Sequence, residues 1–105
     1  MSDAGPRQWL RERSPRAPAS LERRVDGFLQ EDGSVRFSAF MEGAESALER
    51  VLGDPSIRDR ESAYDLLAAD ALLTYACETV LSEEDPASSL EEILRRVVQV
   101  REQER

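Results

Sequence analysis

The 105-residue chain contains no lysine, no histidine, no asparagine and a single cysteine, Cys77. Each absence closes off a class of chemistry. Without lysine there is no Schiff-base amine and no phosphate-cradling P-loop lysine. Without histidine there is no Ser-His or Cys-His pair and no imidazole metal ligand. One cysteine cannot close an internal disulfide, which excludes a disulfide-stapled secreted scaffold. No apolar run approaches the roughly 18 residues of a membrane span. The opening segment MSDAGPRQWLRERSP also lacks the apolar core of a signal peptide. These absences set the expectation of a cytoplasmic, non-enzymatic protein with no cofactor, no metal and no membrane partner.

What is present is acid and arginine. The net charge is −8, from 22 acidic and 14 basic residues, and every basic residue is arginine. The charge is uneven. Residues 1–24 hold six arginines against Asp3, Glu12 and Glu22, a net of +3, and residues 25–105 carry −11. A body this acidic repels nucleic acid and anionic lipid at long range, so no nucleic-acid partner is expected. The basic N-terminal segment is expected to dock on the acidic body or stay solvated. A chain of this length forms one domain and buries about 65% of its unfolded surface.

Periodicity predicts an all-α fold, a small four-helix antiparallel or orthogonal bundle with a short extra N-terminal helix or arm. Residues 1–19 read as a partly ordered basic arm and residues 20–101 as the helical domain. Pro6, Pro15 and Pro18 punctuate the arm, which leaves room for a short helix over Pro6–Arg13 with proline at its first position. Trp9 and Leu10 are its large apolar groups, and Trp9 is expected to anchor it. A second helix runs from Leu21 to about Gln30, with Ser20 as N-cap and Leu21, Val25 and Phe28 on one face. After the Asp32-Gly33 turn signal, a third helix ends at Leu52 before Gly53. Its stripe is Phe37, Phe40, Met41, Ala44, Leu48, Val51 and Leu52, and Glu42, Glu45 and Glu49 face solvent. Asp54-Pro55, with a capping box at Ser56 and Asp59, introduces a long helix over 58–82. Ser89-Leu90-Glu91-Glu92 reads as a second capping box, opening a last helix with Leu90, Ile93, Leu94 and Val97 as its stripe.

The stretch from Asp32 to Phe40 resembles the second half of an EF-hand calcium loop and the start of its exiting helix, with Gly33 as the sharp-turn glycine. The ligand set departs from that pattern. Two early ligand places fall on Phe28 and Gln30, a later one on Arg36, and the place of the bidentate carboxylate on Ala39. Calcium takes six to eight oxygens, so bound calcium is not expected.

The helix over 58–82 carries the most information because it is apolar on more than one side. Leu66, Leu73, Cys77, Val80 and Leu81 form the broader stripe and are expected to face the core, with Cys77 as a small core hydrophobe. Asp70 falls in the middle of that stripe. A buried carboxylate must be paired, hydrogen-bonded or protonated. Asp70 is therefore read either as half of a buried pair with an arginine such as Arg24 or Arg36, as solvated at a groove rim, or as a functional carboxylate. The other side carries Tyr64, Ala68, Ala71 and Tyr75 at the spacing of a helix-contact seam. Either the N-terminal segment with Trp9 covers this seam, or it is a homodimer or partner interface.

The leading expectation is a non-enzymatic helical protein-protein interaction module, an adaptor or small regulatory subunit, binding a protein partner or a second copy of itself through the 58–82 helix. Two alternatives stay open. One is a small-molecule binding bundle with Asp70 as its polar anchor. The other is an acidic inhibitor or antitoxin acting on a basic partner.

Overall fold

Helix propensity and capping chemistry set where each element begins and ends. A computed structural model describes residues 5–29, 36–53 and 60–103. The Asp32-Gly33 turn, most of the EF-hand-like loop, Asp54-Pro55 and the Ser56–Asp59 capping box lie outside the described residues. Five α-helices and no strand occur among the described residues: α1 (Pro6–Glu12), α2 (Ala19–Gly27), α3 (Arg36–Gly53), α4 (Arg60–Thr79) and α5 (Pro86–Gln103), with a 3₁₀ turn at Val80–Ser82. The all-α fold and its small bundle follow as expected from the sequence.

The helix ends show local chemistry that differs from the sequence expectation at two places. Proline opens α1, where its missing N–H would have had no helical partner anyway. On α2 the Pro18 carbonyl accepts from the Glu22 N–H at 2.9 Å, so the helix starts at Ala19 and Ser20 lies inside the first turn instead of capping it. On α5 the cap is Asp85, not Ser89. Its carboxylate accepts from the Ser88 hydroxyl at 2.7 Å and the Ser88 N–H at 3.3 Å, and Pro86 occupies the first helical position. Those bonds hold the Asp85 carboxyl below its ordinary range. After Thr79 the chain tightens into the 3₁₀ turn and leaves it through extended backbone at Glu83, ahead of the acidic run that would oppose the helix dipole.

The core sits between α3 and α4, which pack on each other more extensively than any other pair. α2 lies on α4, α1 on α3, and α5 on α3 and the 3₁₀ turn. From α3 come Phe37, Phe40, Met41, Ala44 and Ala47, all buried, and Leu52 stands out to solvent at the helix end. Gly43 is buried at the α3–α4 contact. A Cβ there would stand 3.2 Å from the Phe28 carbonyl oxygen and 3.3 Å from the Leu72 side chain, so glycine permits this close approach.

The basic arm is part of the core. Leu10 is buried, and Trp9 forms a three-ring cluster with Phe40 of α3 and Tyr75 of α4, at centroid distances of 5.2 and 5.6 Å, with Phe40 and Tyr75 also 5.6 Å apart. Tilted and edge-on contacts of this kind add about 0.5–1.5 kcal/mol per pair beyond area burial. Ion pairs fasten the same segment. Arg13 donates from Nη2 and Nε to Glu78 at 2.7 and 2.8 Å, and Arg7 pairs with Asp26. On the opposite flank Arg96 ties α5 to α3 through Glu45, at 2.6 and 2.9 Å.

Candidate interaction surface

The inner and outer faces of α4 are the reverse of what residue size predicts. Its buried residues are Asp65, Ala68, Ala69, Leu72, Tyr75, Ala76 and Thr79. The expected core stripe lies largely outside. Leu66 is 52% exposed, Cys77 is exposed, Leu73 is half-buried at the edge, and Leu81 of the 3₁₀ turn is 86% exposed. Of that stripe only Val80 is buried. The cause is the tight α3–α4 contact. Gly43 leaves room for the Leu72 side chain, and Ala68, Ala69 and Ala76 are buried on the same side of α4, while Leu66 and Leu67 are left on the far side.

Of the two readings of the Tyr64–Tyr75 seam, cover from within the chain is the one found at Ala68 and Tyr75. Ala68 and Tyr75 are buried in the core and Ala71 is half-buried against it. Trp9 covers Tyr75, and the Arg13 guanidinium lies 5.0 Å from its ring centroid. Burial raises the Tyr75 phenol above its ordinary range, and the Arg13 charge pulls it partly back. Ala68 and Tyr75 are thus not accessible to a partner. Tyr64 is exposed, with the Arg24 guanidinium 5.3 Å from its ring centroid.

The buried carboxylate is Asp65, not Asp70. At 3% exposure, Asp65 accepts from Arg24 of α2 at 2.7 Å and pairs with Arg50 of α3 at 2.9 Å; Arg24 also reaches Glu61 at 2.8 Å. This cluster joins three helices. Reading the sequence did not single out Asp65, although it shares a helical face with Ala68, Ala69, Leu72 and Ala76. That spacing was the available signal; its partners, 41 and 15 residues away, were not visible in sequence.

Asp70 is exposed, and its carboxylate has no partner among the described residues; the Thr74 hydroxyl donates to its backbone carbonyl at 2.9 Å. It stands in unusual company. Between Ala63 and Cys77 the exposed residues are Ala63, Tyr64, Leu66, Leu67, Asp70, Thr74 and Cys77, so Asp70 is the one charge on a four-turn outward face. A solvent-facing helix surface is ordinarily charged and polar. The outward residues of α5 follow that rule more closely. Leu90, Leu94 and Val98 are exposed there, but Glu91, Arg95, Arg101 and Glu102 stand among them.

Grooves indent the described surface. One of about 410 Å³ lies between Pro18, Leu21, Arg24, Tyr64 and Leu67. One of about 580 Å³ runs between α1 and α2, lined by Arg7, Arg11, Arg16 and Arg23 with Glu22 and Asp26. The third, of about 470 Å³, opens over the Arg24–Asp65–Arg50 cluster. Asp70 lines none of them, so the arrangement in which it anchors a small molecule in a pocket is not present in these grooves. Among the described residues no three acidic or thiol side chains converge as metal ligands, and no helix is long and apolar enough to cross a membrane. Comparison with protein-family models, curated proteins and solved structures finds no match for this chain.

Proposed function

We propose that the chain is a non-enzymatic helical interaction module that binds a protein partner through the outward face of α4. One observation carries this reading. The exposed surface from Ala63 to Cys77 is apolar or neutral except at Asp70, with Leu66 and Leu67 each just over half exposed. Contiguous exposed apolar surface rimmed by charge marks interaction sites on proteins that otherwise cover such groups. Inside the bundle the ordinary demands of folding are already met. No buried side-chain polar atom lacks a partner among the described residues.

Affinity capture from the native host with wild-type chain and with a Leu66→Glu, Leu67→Glu variant tests this. Both residues point to solvent, so the variant keeps its helical circular dichroism. The expected outcome is loss of a stoichiometric partner from the variant alone. Retention of the same partners by both chains would remove α4 as the docking face.

A further inference from the structure

We infer that the occupant of the α4 face is a basic amphipathic helix of another protein, with a central lysine or arginine meeting Asp70, and not a second copy of this chain. The inference rests on the interaction reading above and adds the chemistry of the partner. Three observations support it.

The first is size. Ala63–Cys77 spans about 22 Å at 1.5 Å rise per residue. A strip that long and about 10 Å wide falls well short of the roughly 800 Å² per side of a standard globular interface. It matches one helix laid along another, the mode in which amphipathic segments are captured by apolar surfaces.

The second is charge. Asp70 lies at the middle of the strip, in sequence and in helical angle, and its carboxylate is unpartnered among the described residues. The acids around it are already committed. Glu61 and Asp65 are paired with Arg24, and Glu78 with Arg13. The uncommitted charges on this side of α4 are therefore Arg60, exposed at the N-terminal end just before the strip, and Asp70 at its centre, on a molecule of net charge −8. A cation at the centre of the partner satisfies the Asp70 carboxylate once water is excluded; an apolar residue there leaves it buried and unpaired.

The third is symmetry. A two-fold dimer uses the same patch on both copies, so the centre of the patch meets itself. Two helices crossing at the middle of this strip place Asp70 against Asp70 of the other copy, with no arginine of the strip to separate them. Like charges brought together in a desolvated contact oppose that pairing.

Selection from a displayed library of amphipathic helices about 18 residues long, with leucine at the contact positions and the central position randomised, tests the chemistry directly. The bait is the full chain, as wild type, as Asp70→Arg and as Leu66→Glu, with helicity checked for each. On wild type, arginine or lysine is expected at the centre over glutamate or aspartate by at least about five-fold, and on Asp70→Arg the preference inverts. Binders with no central preference, or one that ignores Asp70→Arg, overturn the basic-partner inference and leave the interaction surface standing. Binders indifferent to Leu66→Glu, or a library that yields none, overturn the surface itself. A solution mass of twice 11.8 kDa that Leu66→Glu returns to monomer assigns the face to a second copy and overturns the inference.

Discussion

α4 has two sides, and the comparison between them organises the molecule. The inner side consists of three alanines with one leucine, one tyrosine, a threonine and a carboxylate, and it is covered. The outer side holds larger apolar groups and is open to water. Burial here follows fit, not residue hydrophobicity. Gly43 and Ala44 on α3 and Ala68, Ala69 and Ala76 on α4 are all buried, and the missing Cβ at Gly43 makes room for Leu72. Leu72 is the one large aliphatic group on the buried side of α4, and it is fully covered.

The widest gap between the two sides is expected from matched truncations. Leu72→Ala opens a cavity in the tightest part of the core and should cost about 3 kcal/mol. Leu66→Ala removes side-chain surface already half in water and should change stability by less than about 0.5 kcal/mol. Urea unfolding of both variants measures the difference, and near-equal losses would erase the distinction between the faces.

The boundary between the sides is held by the Asp65 cluster. Replacing Arg24 with methionine leaves Asp65 buried with Arg50 as its remaining ion-pair partner among the described residues. Loss of that charge-assisted bond should cost about 2 kcal/mol. An Asp70→Ala change, which breaks no side-chain hydrogen bond or ion pair among the described residues, should be nearly silent in the same unfolding assay. Equal effects at 65 and 70 would mean that the two carboxylates had been assigned to the wrong sides.

The smallest effect is a pH dependence at the edge where α1 meets α4. Arg13 donates to Glu78 and holds its carboxyl below the ordinary glutamate range. A depressed carboxyl contributes stability above its unfolded pKa and loses it as pH falls through the folded one. Glu78 is more than a third exposed, so the contribution is only a few tenths of a kcal/mol. Glu78→Gln should lower stability by that amount at pH 7, with the difference closing on the acid side of the usual glutamate range. A gap that instead widens toward low pH would contradict the sign.

Much of the fold was legible in the sequence and the site was legible only in part. Strong periodic stripes located the helices, and Phe37, Phe40, Met41 and Ala44 were read to the correct face because α3 has one clear stripe. On α4 the reading by size misled. Leucine and valine outweigh alanine in any apolar pattern, whereas a close helix contact selects for alanine. Leu66 and Cys77 were therefore placed inside, and Asp70 with them. Asp65 was overlooked because a buried carboxylate is recognisable only with its partners, and Arg24 and Arg50 reach it from two other helices. The Asp85 cap is hidden in sequence by the better-formed capping-box signal at Ser89, four residues on. The double-sided greasiness of α4 was visible from the start; deciding which side packs needed the position of Gly43.

The ring cluster at the joint of α1 has an optical consequence. Trp9 is the only tryptophan in the chain, and it touches Tyr75 and Phe40 only while α1 is docked. Its fluorescence therefore records one event, the lifting of the first helix from the other four, whereas far-ultraviolet dichroism records the helices as a whole. The molecule thus carries a built-in reporter that separates fraying at its N-terminal joint from global unfolding, without a label or a substitution.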